Sequence, residues 1–141
     1  MMRNILLAAF AAILLALAAP AMAQETAPTI AGAKTISPTE AKALMEKGAQ
    51  VYDVRRRAAF LESHLPKAKS VASAVDSKEK TADASVLGEN KAAVLIIHGH
   101  GTDGWSAVYL VEAAVKAGHT NVNWMRGGFA EWSDAKLPLE N

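Results

Sequence analysis

The sequence predicts an α/β fold in which a small parallel β-sheet is flanked by helices on both faces. Three short and mostly apolar runs, at 51–54, 94–97 and 122–125, are typical of strands buried inside a parallel sheet. Segments with helical periodicity precede or follow these runs. Such an alternation indicates strands joined by crossover helices, which is how parallel strands are usually connected.

The N-terminal segment, residues 1–23, has the pattern of a secretory signal peptide. Arg3 supplies a positive charge, residues 5–19 form an apolar run, and residues 21–23 read A-M-A, an A-x-A cleavage site. A membrane anchor is the alternative, but the run is shorter than the roughly 20 residues of a spanning helix. We therefore expect a bacterial protein that is periplasmic or secreted and has no membrane span after cleavage.

Residues 24–34 are small and polar and contain a proline, so we expect a flexible leader ahead of a folded domain at 35–141. The first helix of that domain is predicted to begin at Ser37, a suitable N-cap, with Pro38 in the first helical position. A glutamate three residues after the cap completes a capping box, and Gly48 ends the helix.

The predicted elements continue in alternation along the chain. After the strand at 51–54 we expect a short helix at 57–62 and a brief strand near 70–72, then a polar, alanine-rich loop at 74–91 with at most one helical turn.

The strongest strand pattern, at 94–97, is followed by a helix at 105–117, which has valines on one face and a glycine directly after it. The strand at 122–125 then precedes a last helix at 129–135.

Composition limits the classes of partner. The chain has 15 basic residues, 14 acidic residues and no cysteine, and cleavage after residue 23 would remove only Arg3, which leaves 14 of each charge. A neutral domain lacks the basic surface that nucleic acids require, and we interpret the three arginines at 55–57 as part of a solvated face. Without cysteine no disulfide forms, so core packing must stabilise the domain.

The segment H-G-H-G-T-D-G-W-S at 98–106 joins the 94–97 strand to the following helix. Ligands of parallel α/β sheets bind beyond the carboxyl ends of the strands, where this loop is expected. Its glycines allow several backbone N–H groups to face an anion such as sulfate, phosphate or thiosulfate, although they could also serve the turn alone. The predicted ligand-binding residues are Gly99, His100, Gly101, Thr102, Asp103, Gly104, Trp105 and Ser106.

A second interpretation of the same loop is a metal site. Two imidazoles, from His98 and His100, and the carboxylate of Asp103 could bind zinc or copper and leave an open coordination position. In the alternative, these histidines are solvated or hydrogen-bonded to the backbone.

Three segments in order resemble the rhodanese family and, with the first helix, cover about residues 35–140. They are D-V-R at 53–55 with Phe60 and S-H-L-P-K-A at 63–68, the 98–106 loop, and G-H-T-N-V at 118–122 with G-G-F at 127–129 and Trp132. The resemblance implies a single rhodanese-like domain of the secreted type, homologous to sulfurtransferases.

The resemblance also identifies what this chain lacks. His98 stands at the catalytic position, where the family has the cysteine that accepts sulfur, and Trp105 replaces the basic residue that usually precedes the serine. Asp53 and Arg55 match the family pair that supports the loop. Because a thiolate is the nucleophile of persulfide chemistry, we expect thiosulfate sulfurtransferase activity to be absent.

The sequence thus predicts an exported rhodanese-like protein that is catalytically inactive and binds a small oxyanion or a periplasmic protein partner. Two alternatives stay open. One is a metal-dependent or histidine-centred enzyme that uses the 98–106 loop, and the other is a docking partner in a sulfur relay.

Overall fold

The structure of the chain is a computed structural model that describes residues 24–141, so the signal peptide predicted for 1–23 lies outside the described residues. The strands are β1 (Lys34–Thr35), β2 (Gln50–Asp53), β3 (Lys69–Ser70), β4 (Val75–Asp76), β5 (Thr81–Ala82), β6 (Leu95–His98) and β7 (Val122–Trp124). The helices are α1 (Pro38–Glu46), α2 (Arg57–Glu62), α3 (Trp105–Lys116) and α4 (Gly128–Asp134), with two 3-10 helices at Ala72–Ala74 and Ala84–Leu87.

Five strands form one parallel sheet in the order β1-β7-β6-β2-β3, which confirms the predicted α/β fold. In the register of β2 and β6, Asp53 lies opposite His98. Both residues are the last of their strands, so the carboxyl ends of β2 and β6 meet at one edge of the sheet. The segments that follow these two strands therefore begin side by side.

The core has two layers because successive strand residues point to opposite faces of the sheet. On β6, Leu95 and Ile97 pack with the apolar face of α3, whereas Ile96 packs with Trp132 of α4 and Ala41 of α1. All five side chains are buried. The predicted placement of helices on both faces is confirmed.

Helix α1 begins as its sequence predicts. The hydroxyl of Ser37 accepts a hydrogen bond from the backbone N–H of Glu40 at 3.1 Å, and the Ser37 N–H donates to the Glu40 carboxylate at 3.3 Å. Pro38 occupies the first turn, where its missing N–H has no helical acceptor.

The polar segment 74–91 has two strands that the sequence does not predict, in addition to the single helical turn that the sequence allows. It contains the antiparallel pair β4 and β5 and the 3-10 helix Ala84–Leu87. Two-residue strands are too short to give a hydrophobic period, so their pairing depends on tertiary contacts. Within residues 24–141, no helix is long and apolar enough to cross a membrane.

Candidate functional site

A cavity of about 400 Å³ lies where the chain leaves β2 and β6, between the 98–106 loop and the start of α2. Six of its ten lining residues belong to the predicted ligand-binding loop. The lining consists of Val54, Arg55, Arg56, Ala59, Gly99, His100, Asp103, Gly104, Trp105 and Ser106. The loop therefore occupies the position that the sequence predicts for it, and Gly101 and Thr102 lie outside the lining.

Close packing against α4 determines the path of the loop. Gly128 has a φ of +59°, and a Cβ there would lie 2.5 Å from the carbonyl oxygen of Gly99. The backbone N–H groups of Phe129 and Ala130 donate to the carbonyls of Gly99 and His100 at 3.0 and 2.8 Å. These two amides in the first turn of α4 therefore bind the loop and are not free to bind a ligand.

Other amides of the loop remain available. Among the hydrogen bonds between residues 24–141, none uses the backbone N–H of His100, Asp103 or Ser106, three residues that line the cavity. Within α3, Ser106 also places its hydroxyl 3.2 Å from that of Ser77. Unpaired N–H groups beside a cavity are suited to an anion, because an anion supplies only acceptors.

His98, the predicted catalytic position, is fully buried and does not line the cavity. Its Nδ1 lies 2.9 Å from the carbonyl oxygen of Gly99 and therefore donates to it. Nε2 has no hydrogen-bond partner in the described chain and lies 3.8 Å from the Asp53 carboxylate. Burial lowers the pKa of His98, although the nearby Asp53 charge opposes this shift.

Burial also separates the residues proposed as metal ligands. His100 and Asp103 line the cavity, whereas the His98 imidazole lies outside the lining. Within residues 24–141, no three His, Asp or Glu side chains converge closely enough to hold a metal ion.

Asp53 and Arg55 form a buried ion pair beneath the cavity. The Asp53 carboxylate accepts hydrogen bonds from the backbone N–H of Arg55 at 2.9 Å, from Nε at 3.0 Å and from Nη2 at 2.8 Å. Nη2 also donates to the carbonyl of Ser63 at 2.7 Å, and the guanidinium lies 3.9 Å from the centre of the Phe129 ring. Because these contacts join β2, α2 and α4, the pair supports the walls of the cavity.

Two features of the site are not predicted by the sequence. Arg55, interpreted as part of a solvated face, is instead buried against Asp53, whereas Arg56 is exposed as interpreted and also lines the cavity. Residues 24–26, placed in a flexible leader, hydrogen-bond to Thr102, Trp105 and Arg126. A short polar segment offers no periodic signal from which contacts with a distant loop could be inferred.

The family model of the rhodanese-like domain matches residues 37–135. No curated protein matches the chain. Among solved structures, a rhodanese-like domain from Anabaena sp. is 21% identical with a TM-score of 0.60, covering 76% of this chain and 78% of that one. A protein from Bacillus halodurans is 22% identical with a TM-score of 0.61, covering 77% of each chain.

A third structure, thiosulfate sulfurtransferase from Pseudomonas aeruginosa, is 22% identical with a TM-score of 0.60. The match covers 77% of this chain but only 20% of that one. At such identities, the likeness establishes the fold alone.

Proposed function

The chain belongs to the rhodanese-like domain family, and we propose that it is an exported, non-catalytic member that binds a small oxyanion in the cavity beside the 98–106 loop. The observation that supports this best is the contrast between His98 and the cavity. The residue at the family's catalytic position is fully buried, whereas a cavity of about 400 Å³ is lined by two arginines and by three loop residues whose amides are unpaired.

Absence of sulfur transfer is the first part of the proposal. The sequence has no cysteine, so no thiolate can accept sulfur from thiosulfate. His98 offers no substitute nucleophile, because its imidazole has no exposed surface and lies outside the cavity lining.

Recognition of an oxyanion is the second part. The charged residues that line the cavity are Arg55, Arg56 and Asp103. Asp53 neutralises Arg55, so the attraction for an anion comes from Arg56 and the unpaired amides, and the Asp103 carboxylate opposes it. Sulfate, phosphate and thiosulfate fit this chemistry, since each presents oxygen acceptors in several directions.

Thermal unfolding of the mature chain, residues 24–141, tests the proposal against sulfate, phosphate and thiosulfate. An anion at a hundred times its dissociation constant stabilises by about 2.7 kcal/mol, which raises the melting temperature by roughly 10 °C for a domain of this size. Arg56→Gln should abolish most of the rise. The matched control is Arg57→Gln, because Arg57 is exposed and lies outside the cavity lining.

Three outcomes separate the candidate functions. A rise that Arg56→Gln removes and Arg57→Gln leaves intact supports anion binding. A rise only with zinc or copper that His100→Ala removes favours the metal-dependent enzyme. If no anion or metal changes the melting temperature, oxyanion binding is wrong, and capture of a periplasmic protein or a sulfur-relay partner becomes the function to test.

A further inference from the structure

We infer that residues 24–26, named here the strap, position the 98–106 loop and so form part of the binding site. The inference rests on the proposed function only in its consequence for anion affinity. Its structural part concerns the order of the loop and is independent of any ligand.

The strap forms hydrogen bonds with Thr102, in the middle of the loop. The backbone N–H and the hydroxyl of Thr26 both donate to the carbonyl of Thr102, at 2.9 and 2.7 Å. The hydroxyl of Thr102 donates in return to the Glu25 carboxylate at 3.1 Å. Thr26 is only 4% exposed, so water competes little for these bonds.

Arg126, which follows β7, also forms hydrogen bonds with the strap. Its Nη2 donates to the carbonyl of Thr26 at 2.7 Å, and its Nε donates to the Thr26 hydroxyl at 3.2 Å. The same Nη2 lies 3.8 Å from the Glu25 carboxylate. The Thr26 hydroxyl thus accepts from Arg126 while it donates to Thr102, which links the end of β7 to the loop.

The strap also reaches the cavity itself. Trp105, one of the lining residues, donates from its indole Nε1 to the carbonyl of Gln24 at 2.9 Å. The first residue of the predicted mature chain therefore holds the indole of a residue that lines the cavity.

The loop needs such support because three of its residues are glycines. Glycine has the largest conformational freedom of all residues, so ordering a loop that contains three of them costs more entropy than ordering one without them. Contacts at Thr102 and Trp105 restrain the loop on either side of Gly104. A restrained loop presents its amides to an anion without first losing that freedom.

Thr26→Val in the untagged mature chain tests the strap, because valine keeps the shape of threonine and removes both hydroxyl hydrogen bonds. The matched control is Thr29→Val, the same change at an exposed leader position. Thr26→Ser retains the hydroxyl and should restore the wild-type behaviour. Arg126→Gln removes the opposite partner and serves as a second variant should Thr26→Val fail to fold.

The order of the loop is read by hydrogen exchange of the amides of Gly104 and Trp105, which donate to the carbonyls of Gly101 and Asp103, and by acrylamide quenching of tryptophan fluorescence. Trp105 is 37% exposed whereas Trp124 and Trp132 are each 1% exposed, so any gain in quenching reports on Trp105. We expect Thr26→Val to speed exchange about fivefold to tenfold, the effect of losing one or two hydrogen bonds, and to increase quenching. Thr29→Val should change neither.

The outcomes separate this inference from the proposed function. Wild-type exchange and quenching in both Thr26→Val and Arg126→Gln would overturn the strap. Faster exchange in a protein whose wild type binds no oxyanion would overturn the proposed function and leave the strap standing. Faster exchange with unchanged affinity for sulfate would overturn the role of the strap in binding.

Discussion

The ion pair between Asp53 and Arg55 allows a prediction whose size follows from its burial. Asp53 is 0% exposed and Arg55 is 8% exposed, and three donors of Arg55 meet the carboxylate. In Asp53→Asn, one oxygen still accepts, but the new amide nitrogen is a donor and would face another donor of Arg55. The guanidinium then remains buried without a counter-charge.

Removing one partner from a buried ion pair typically costs 3–5 kcal/mol. Because Arg55 keeps its bond to the Ser63 carbonyl and some exposure, we expect Asp53→Asn to lower the free energy of unfolding by about 3 kcal/mol. That is a large part of the roughly 5–15 kcal/mol that holds an ordinary domain together.

Urea unfolding at neutral pH measures this loss. The control is Glu46→Gln, which removes the partner of Lys42 in a solvent-exposed ion pair on α1 and should cost no more than about 0.5 kcal/mol. The double variant Asp53→Leu with Arg55→Leu should be less destabilised than the sum of its two single variants, because it leaves no unpaired charge. A loss below about 1 kcal/mol in Asp53→Asn would refute this reasoning.

Three further predictions concern the loop and the residue beneath it. Burial holds the pKa of His98 below its ordinary 6.5, so the folded state binds fewer protons than the unfolded state. The free energy of unfolding should therefore fall as the pH drops below about 6.5, by at most about 1.4 kcal/mol per unit from this residue, and His98→Asn should reduce that slope in urea titrations. If His98→Asn leaves the slope unchanged, protonation of another group causes the loss of stability at low pH. Gly128→Ala puts a Cβ 2.5 Å from the Gly99 carbonyl at a positive φ, and calorimetry should show a loss of at least about 1 kcal/mol; a wild-type melting temperature would contradict this close contact. His98→Cys should leave thiosulfate:cyanide transfer at background, because the new thiol is buried outside the cavity lining, and measurable turnover would show that position 98 reaches the cavity.

Local patterns explain which parts of the fold were predictable. The capping box at Ser37 and the apolar runs in β2, β6 and β7 are features of neighbouring residues, so they can be predicted without knowledge of tertiary contacts. β1 and the β4–β5 pair have two residues per strand, and their pairing depends on partners elsewhere in the chain.

The candidate site divides in the same way. The position of the loop at the carboxyl ends of the strands follows from the order of the elements, which the sequence contains. Whether a side chain enters the cavity depends on its direction at the end of its strand, and there the imidazole of His98 turned out to be buried. The sequence of neighbouring arginines likewise does not reveal that Arg55 is buried or that Arg56 lines the cavity, because the direction of each side chain depends on the packing around it.

By itself, the sequence determined the fold class, the alternation of elements, the place of the loop and the absence of any thiol, because each depends on composition or short-range order. Only the tertiary structure decided that His98 is buried beneath the loop, that Arg56 lines the cavity and that residues 24–26 bind Thr102 and Arg126. Those contacts join residues as many as 100 positions apart. Such contacts form only when the whole chain packs, so no local pattern encodes them.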